Sequence, residues 1–334
     1  MNIAAIDLNE HVLLVAEIGN NHEGSFDLAQ RLIAEAARAG ADAVKFQTIV
    51  PERLVAPDQT ARLEQLARFR LSYGQFERLA RTAADEGVLF LSTPFDLESA
   101  RFLATLVPAF KIASGDNDFF PLLRQVAETG KPILLSTGLA DLSEVARAKA
   151  YVEDCWRRSG IRQEMALLHC VSCYPTPPES ARLDRITALA GLCPTVGYSD
   201  HTTGIQAAVL ATALGARIVE KHFTLDKRSS AFRDHQFSAD PAEFAALVRE
   251  VRLAQTLLGR TPQGNDCEAG TRQAARRAIR ASRDLEPGRV LEIQDLDWLR
   301  PGQGLSPAAT DEILGRRLLR RVARGEVILT SDLG

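Results

Sequence analysis

Along the first three quarters of the chain, short runs of β-branched and apolar residues alternate with longer stretches in which Ala, Leu and Arg recur at helical spacing. The short runs predict strands over Val12–Glu17, Ala43–Gln47, Val88–Ser92, Phe110–Ile112, Pro132–Ser136, Met165–His169, Thr195–Gly197 and Arg217–Lys221. The longer stretches predict helices near Asp27–Ala39, Tyr73–Glu86, Leu97–Leu106, Phe119–Thr129, Leu142–Arg157, Ala181–Leu189, Gly204–Leu214 and Pro241–Leu258. Eight strand–helix units in succession favour a closed (β/α)8 barrel over an open doubly wound sheet, and no GxGxxG turn follows the first strand. Glycines at Gly40, Gly87, Gly130 and Gly215 suit helix ends and the short turns at the bottom of such a barrel.

The texture changes after Gly259. Residues 260–270 (RTPQGNDCEAG) are polar and carry Gly and Pro, which reads as a linker. Residues 271–334 hold 12 Arg against 9 acids. There, strand-like runs at Ala278–Ala281, Arg289–Leu291, Arg317–Arg321 and Val327–Leu329 alternate with turns at Glu286-Pro287-Gly288 and Arg300-Pro301-Gly302-Gln303-Gly304. The expected division is a barrel over 1–259, a linker over 260–270 and a small domain over 271–334. A piece that small is near the lower limit for folding alone, so it is expected to pack on a barrel, and the linker is long enough for that barrel to be a partner's.

Composition narrows the function. The chain has 334 residues, 46% of them hydrophobic and 25% charged, with a net charge of −3, so nothing draws it generally to nucleic acid or an anionic membrane. The arginine-rich tail has one aromatic, Trp298, and reads as a solvated face. No apolar run approaches the ~20 residues that cross a bilayer. Met1 to Glu10 lacks the basic-then-apolar order of a secretory signal. Five cysteines, sparse and odd in number, suit a reducing cytoplasm. Without a P-loop or a GxSxG elbow, ATP use and serine hydrolysis are disfavoured, and no nucleotide cofactor is expected.

In a barrel, chemistry is read at the C-terminal ends of the strands. His201 and His222 end successive strand runs, one strand-plus-helix apart, which puts both imidazoles side by side at one mouth. Two neutral imidazoles there suit a catalytic divalent metal with open positions. Lys45 and Lys111, with hydroxyls from Thr93, Ser114, Ser136 and Ser199, match a small dianionic ligand such as a phosphate ester. Glu17 beside them is suited to orient water or hold a substrate hydroxyl. Taken singly, a barrel-end Lys is more often ion-paired and a lone His more often a hydrogen-bonded core residue; their convergence favours a site. Cys170 and Cys173 form a CxxC with no second pair and read as ordinary strand-end thiols. His11, His22 and His235 carry no ligand assignment.

These residues sit in longer stretches: Ala16-Glu17-Ile18-Gly19-Asn20-Asn21-His22-Glu23-Gly24, Val44-Lys45-Phe46-Gln47-Thr48, Ser92-Thr93-Pro94-Phe95-Asp96 and Lys111-Ile112-Ala113-Ser114-Gly115. Leu135-Ser136-Thr137-Gly138, Leu168-His169-Cys170, Tyr174-Pro175-Thr176-Pro177, Gly197-Tyr198-Ser199-Asp200-His201-Thr202 and Glu220-Lys221-His222-Phe223-Thr224 follow. Together they resemble the sialic acid synthase family, which includes legionaminate, pseudaminate and spore-coat relatives. The tail around Arg300-Pro301-Gly302-Gln303-Gly304-Leu305-Ser306-Pro307 resembles that family's antifreeze-like SAF domain.

The resemblance implies a (β/α)8 barrel plus SAF domain in a domain-swapped homodimer, each SAF domain capping the partner's barrel. It implies condensation of phosphoenolpyruvate with the open-chain aldehyde of an N-acyl-hexosamine, giving a 2-keto-3-deoxy acid and phosphate, in surface polysaccharide biosynthesis. A Mn2+ or Mg2+ ion on His201 and His222 would polarise the aldehyde. Lys45, Thr93, Lys111, Ser114, Ser136 and Ser199 would hold phosphoenolpyruvate, with Gln47 at that end. Glu17, Tyr174, Asp234 and the partner's Arg300 would meet the sugar or the activated water.

Three stretches depart from the family's usual pattern, all on the sugar side. Asp116, expected to be catalytic, stands where Glu is usual, and Ser172, expected to bind substrate, where Asn is expected. Ala231-Phe232-Arg233-Asp234-His235 replaces a Pro-Gly-Pro-Asp-His stretch, and Arg233 is either a contact for an anionic acceptor or a surface loop residue. The rival readings are a 3-deoxy-octulosonate 8-phosphate synthase, a Schiff-base aldolase using Lys45, Lys111 or Lys221, and a non-catalytic carbohydrate-binding protein.

Overall fold

The computed structural model describes residues 1–230, 232–259 and 267–334. It divides into two compact units, Met1–Thr261 and Pro262–Gly334. Among the described residues no helix is long and apolar enough to cross a membrane.

The first unit is an eight-stranded parallel, barrel-like sheet. Its strands are β1 (Leu13–Gly19), β2 (Ala43–Thr48), β3 (Leu89–Pro94), β4 (Phe110–Ile112), β5 (Ile133–Ser136), β6 (Met165–Cys170), β7 (Val196–Asp200) and β8 (Ile218–His222). Hydrogen-bonded neighbours run β3-β2-β1-β8-β7-β6-β5-β4, and the two end strands lie against each other to complete the ring. Every expected strand is present with its ends within three residues, the largest shift being Gly197 to Asp200, and an amphipathic or apolar helix follows each. Helix Phe26–Arg38 shows the local logic: Ser25 caps it by accepting from Leu28 N–H, and Ala29, Leu32, Ile33 and Ala36 form its buried stripe. The last, Pro241–Leu257, starts with Pro at its first position and a reciprocal Asp240–Glu243 cap.

Strand period two divides the core. Leu14, Ala16, Val44, Phe46, Phe90 and Leu135 point out against the helices. Leu13, Val15, Ala43, Leu91, Ala109, Leu134, Ala166, Leu168 and Ile218 fill the lower interior. That interior is packed from below by Met1, Ile3 and Leu8. These belong to a hairpin, Asn2–Ile3 with Ile6–Asp7, which the hydrophobic pattern does not reveal. Two further helices not foreseen, Pro51–Leu54 and Thr60–Phe69, lie between β2 and helix Tyr73–Asp85.

In the second unit, Ala278–Ala281 pairs antiparallel with Leu296–Leu299. The other strand-like runs contribute isolated bridges, Val290 to Arg317 and Arg280 to Val327 among them. Of the expected linker, residues 260–266 lie outside the described residues, and Ala269 already begins a helix, Ala269–Ala275. The arginines expected to form a solvated face are largely paired: Arg283 and Arg289 hold the buried Asp295, and Arg320 holds Asp332.

Candidate active site

The alternation that fills the lower barrel also builds its mouth. Extended by two residues at a time, the inward positions become Glu17 on β1, Lys45 and Gln47 on β2, Thr93 on β3 and Lys111 on β4. They continue with Ser136 on β5, Cys170 on β6, Ser199 and then His201 past β7, and Glu220 with His222 on β8. All line one cavity of about 370 Å³, a volume ordinary for a small-molecule site. A register shift in β1 between Glu17 and Gly19 turns the strand end; Gly19 has φ +53°, and a side chain there would crowd Glu17 Oε1 at 3.2 Å.

The floor is a chain of opposite charges. Lys45 Nζ lies 2.9 Å from Glu17 Oε2, 3.6 Å from Glu220 Oε2 and 3.2 Å from Thr93 Oγ1. Lys111 Nζ donates to both Glu220 oxygens at 2.9 Å and approaches Ser199 Oγ at 3.4 Å. Gln47 Nε2 donates to Glu17 Oε1 at 3.0 Å, and Gln47 Oε1 accepts from Asn20 Nδ2 at 2.9 Å. Burial dominates all four ionisable groups but does not win everywhere. It raises Glu17 against the pull of Lys45, with the Glu220 charge adding to the rise. In Glu220 the two ammoniums, Lys111 foremost, outweigh it and hold the carboxyl low. Lys45, between two acids, is raised despite burial, whereas Lys111 is lowered by it. Glu17 is therefore the carboxyl disposed to carry a proton, and Glu220 the one that stays charged.

His201 and His222 stand with ring centroids 5.4 Å apart. The Val171 carbonyl, 2.9 Å from His201 Nδ1, can only accept, so that nitrogen carries the hydrogen and in the neutral ring Nε2 presents a lone pair; burial lowers His201, but Cys170 and the Val171 carbonyl together raise it. Burial, then the neighbouring His201, keep His222 well below its usual range and neutral, and its buried Nδ1 has no hydrogen-bond partner. Leaving such an atom unpaired costs about 1–3 kcal/mol, and a cation would satisfy it. Among the described residues no cluster of three or more His, Cys, Asp or Glu surrounds a metal position. The donor set thus fits a divalent ion held by two protein nitrogens, with its other positions open to oxygen ligands. Directly behind the pair, the outward Asp200 and Lys221 face each other across β7 and β8, bonded at 2.8 Å and fully buried.

The sugar-side candidates divide. Ser114, Ser172, Tyr174 and Asp234 line the cavity. The Tyr174 ring lies 4.2 Å from the His201 ring at a tilt of 47°, and the Arg233 guanidinium lies 4.6 Å over Tyr174 and 3.3 Å from Asp234 Oδ1. Arg233 therefore lines the cavity as a paired cation. Asp116 does not line it; its neighbours Ser114 and Gly115 form the wall, and burial followed by the Asp118 charge pushes the Asp116 carboxyl up to about 6. Arg300 belongs to the second unit, just after its second strand, and Ala231 lies outside the described residues. Sequence reasoning placed Glu220 at a strand end but gave it no role, although the spacing that turns His222 inward turns Glu220 inward too. It also missed the rim: Arg62, Leu66 and Phe69 from helix Thr60–Phe69, with Phe95, Leu139 and Phe232. The Phe69 and Phe232 rings meet edge-on at 4.9 Å.

Known proteins share this architecture. A profile described as the NeuB family matches residues 32–263, and one described as the SAF domain matches 276–334. The N,N'-diacetyllegionaminic acid synthase of Legionella pneumophila is 38% identical, over 95% of this chain and 93% of its own length. The human N-acetylneuraminate-9-phosphate synthase is 32% identical, over 95% and 91%. The crystal structure of an N-acetylneuraminic acid synthetase from Leptospira borgpetersenii, in complex with citrate, superimposes with a TM-score of 0.74 at 33% identity, covering 81% of this chain and 94% of that one.

Proposed function

Because the chain belongs to the NeuB family of sialic acid synthases and ends in a SAF domain, we propose that it condenses phosphoenolpyruvate with the open-chain aldehyde of an N-acyl-hexosamine, yielding a 2-keto-3-deoxy acid of the sialic type and phosphate. The observation that supports it most is the convergence of Lys45, Lys111, four hydroxyls and the His201–His222 pair on one cavity.

In this reading Lys45 and Lys111, with Thr93, Ser114, Ser136 and Ser199, bind the phosphate and carboxylate of phosphoenolpyruvate, sharing donors that Glu17 and Glu220 hold in the free protein. Because these donors are already fixed in a buried barrel, they stabilise developing charge with little reorganisation. A divalent cation, Mn2+ or Mg2+, held by His201 and His222 would supply Lewis-acid polarisation of the aldehyde. The methylene carbon of phosphoenolpyruvate bonds to the aldehyde carbon, whose oxygen gains a proton. Water adds at the carbon bearing phosphate and loses one proton; as the C–O bond to phosphate breaks, the hydroxyl left there becomes the keto oxygen and its proton leaves with the phosphate. Glu17, ionised beside Lys45, accepts the first proton from that water, a role its raised proton affinity suits, and Gln47 fixes its orientation. Asp234, Tyr174 and Ser172 orient the sugar, with Asp116 behind the same wall.

The same reading makes the enzyme cytoplasmic, where phosphoenolpyruvate is found, and homodimeric, which solution mass measures. The test offers phosphoenolpyruvate and Mn2+ with a panel of N-acyl-mannosamines and 2,4-diacetamido-6-deoxyhexoses, reading phosphate release and product mass. Chelation is expected to abolish turnover and added Mn2+ to restore it. Undiminished turnover after chelation, with a lysine adduct trapped by borohydride, would overturn the reading in favour of a Schiff-base aldolase. Lys221 is not the lysine such a mechanism would use, since it points out of the barrel into its pair with Asp200.

A further inference from the structure

Leu139, three residues past β5, occupies a position that no fold contact described above explains. Its φ is +62°, a left-handed conformation that favours glycine, and its side chain is 76% exposed. The turn is imposed from both sides. Asn117 Nδ2 donates to the Gly138 carbonyl at 3.0 Å, and Arg185 donates to the Ala140 carbonyl. Gly138 itself is wedged between two hydroxyls, for a Cβ there would lie 2.7 Å from Ser114 Oγ and 2.8 Å from Ser172 Oγ. Backbone held in such a region by its surroundings recurs at ligand clamps. Leu139 also lines two spaces at once, the main cavity and a side cavity of about 160 Å³ that shares Ser114 and Gly115 with it.

The chemistry of the rim says what such a leucine meets. The buried floor is charged, while Leu66, Phe69, Phe95, Phe232 and Leu139 make the half-open rim apolar. The two rim guanidiniums are already occupied, Arg233 by Asp234 and Arg62 by Gln65 at 2.6 Å. A methyl group seated against Leu139 would bury the leucine's exposed apolar surface, a gain that a phosphate or hydroxyl does not supply.

We propose that Leu139 is a specificity-determining residue that covers a methyl group of the sugar acceptor, carried either by an N-acyl substituent or by a deoxygenated terminal carbon. This rests on the condensation proposed above. The test compares Leu139→Gly and Leu139→Met with the parent, using N-acetylmannosamine and a 2,4-diacetamido-6-deoxyhexose as acceptors. Glycine suits the left-handed turn, so the Leu139→Gly melting temperature is expected to hold. Its acceptor KM should rise about tenfold or more, as for loss of one apolar contact, while kcat and the phosphoenolpyruvate KM stay put. Leu139→Met keeps apolar bulk and should keep the parent KM. A rise with both acceptors assigns the 2-acyl methyl; a rise confined to the diacetamido-deoxy sugar assigns a methyl that N-acetylmannosamine lacks, on its 4-acyl group or its terminal carbon. Unchanged acceptor KM values, a matching rise for phosphoenolpyruvate, or a methionine variant as impaired as the glycine one would overturn the proposal. Absence of turnover by the parent chain with either sugar would overturn the reaction itself, and this inference with it.

Discussion

The barrel buries ionised side chains at both ends of the same strands, and the two clusters are built on different rules. At the bottom, Asp42 just before β2 accepts from Leu14 N–H at 2.7 Å and from Arg252 at 2.8 Å, with His11 Nε2 at 2.9 Å. Arg252 also bonds the Val12 carbonyl at 2.7 Å, and Gln255 bonds the Glu10 carbonyl at 3.1 Å, so the last helix is stapled to the entry of the first strand. Nothing in that cluster lines a described cavity. At the mouth, Glu17, Lys45, Glu220 and Lys111 are more deeply buried, yet all four face open volume, and His222 beside them keeps an unpartnered nitrogen. Burial of charge does not by itself mark a site, since a stabilising cluster spends its hydrogen-bonding capacity internally. A site keeps some of that capacity aimed at a space where another molecule belongs.

Substitutions at the two ends should therefore separate activity from stability. The largest effect is expected for Lys111→Met at the mouth. Phosphate release per folded molecule should fall on the order of 10²–10³-fold, the scale for losing one preorganised donor to developing charge. Stability also drops, because Glu220 is left with Lys45 at 3.6 Å, but the protein remains folded. At the bottom, Asp42→Asn should cost about 1–3 kcal/mol in urea unfolding, as for hydrogen bonds to a charged group, with kcat unchanged. Burial raises Asp42, but His11, Arg252 and the Leu14 amide together hold it below its ordinary 3.8. Its stabilisation is then present above that value and fades as pH falls through the lower folded one, so parent and variant should converge in acid. If Lys111→Met lost stability alone, or Asp42→Asn lost turnover at full stability, the distinction between the two ends would collapse.

The sequence exposes these regions unequally. Glu17, Lys45, Lys111, Ser136, Ser199, His201 and His222 were legible because an apolar run marks a strand and a strand's period of two marks which residues turn inward. Glu220 obeys the same rule, but its role depends on meeting Lys111, 109 residues away across the barrel, and no local pattern encodes that pairing. The entry hairpin has strands of two residues, too short to show alternation. Helix Thr60–Phe69 buries only Leu66, so it lacks the wide apolar stripe that announces a core helix. Leu139 was invisible for a related reason: its significance lies in a positive φ and in exposure, and neither is written in residue identity. The parts that escaped are those too short, too narrowly apolar or too dependent on distant contacts to leave a local pattern, and they include most of the rim.

The smallest effect expected is at Asp116, and it decides whether that carboxyl belongs with the mouth or with the fold. Burial, then the Asp118 charge, lift it to about 6, with no acid-stabilising partner of the kind Asp42 has. Because its folded value is raised, the native chain binds the proton more tightly than the unfolded one. The carboxyl therefore favours folding in acid and opposes it as pH rises through about 6. Asp116→Asn removes the ionised form, so the variant should melt higher than the parent at pH 8, with the gap narrowing below about 6 and closing only below the ordinary 3.8. Sugar binding supplies the second reading. Where the ionised carboxyl contacts the acceptor, the parent's acceptor KM improves as pH rises through about 6 and the variant loses that step. A stability gain with an unaltered KM profile would instead place Asp116 among the groups that only shape the wall made by Ser114 and Gly115.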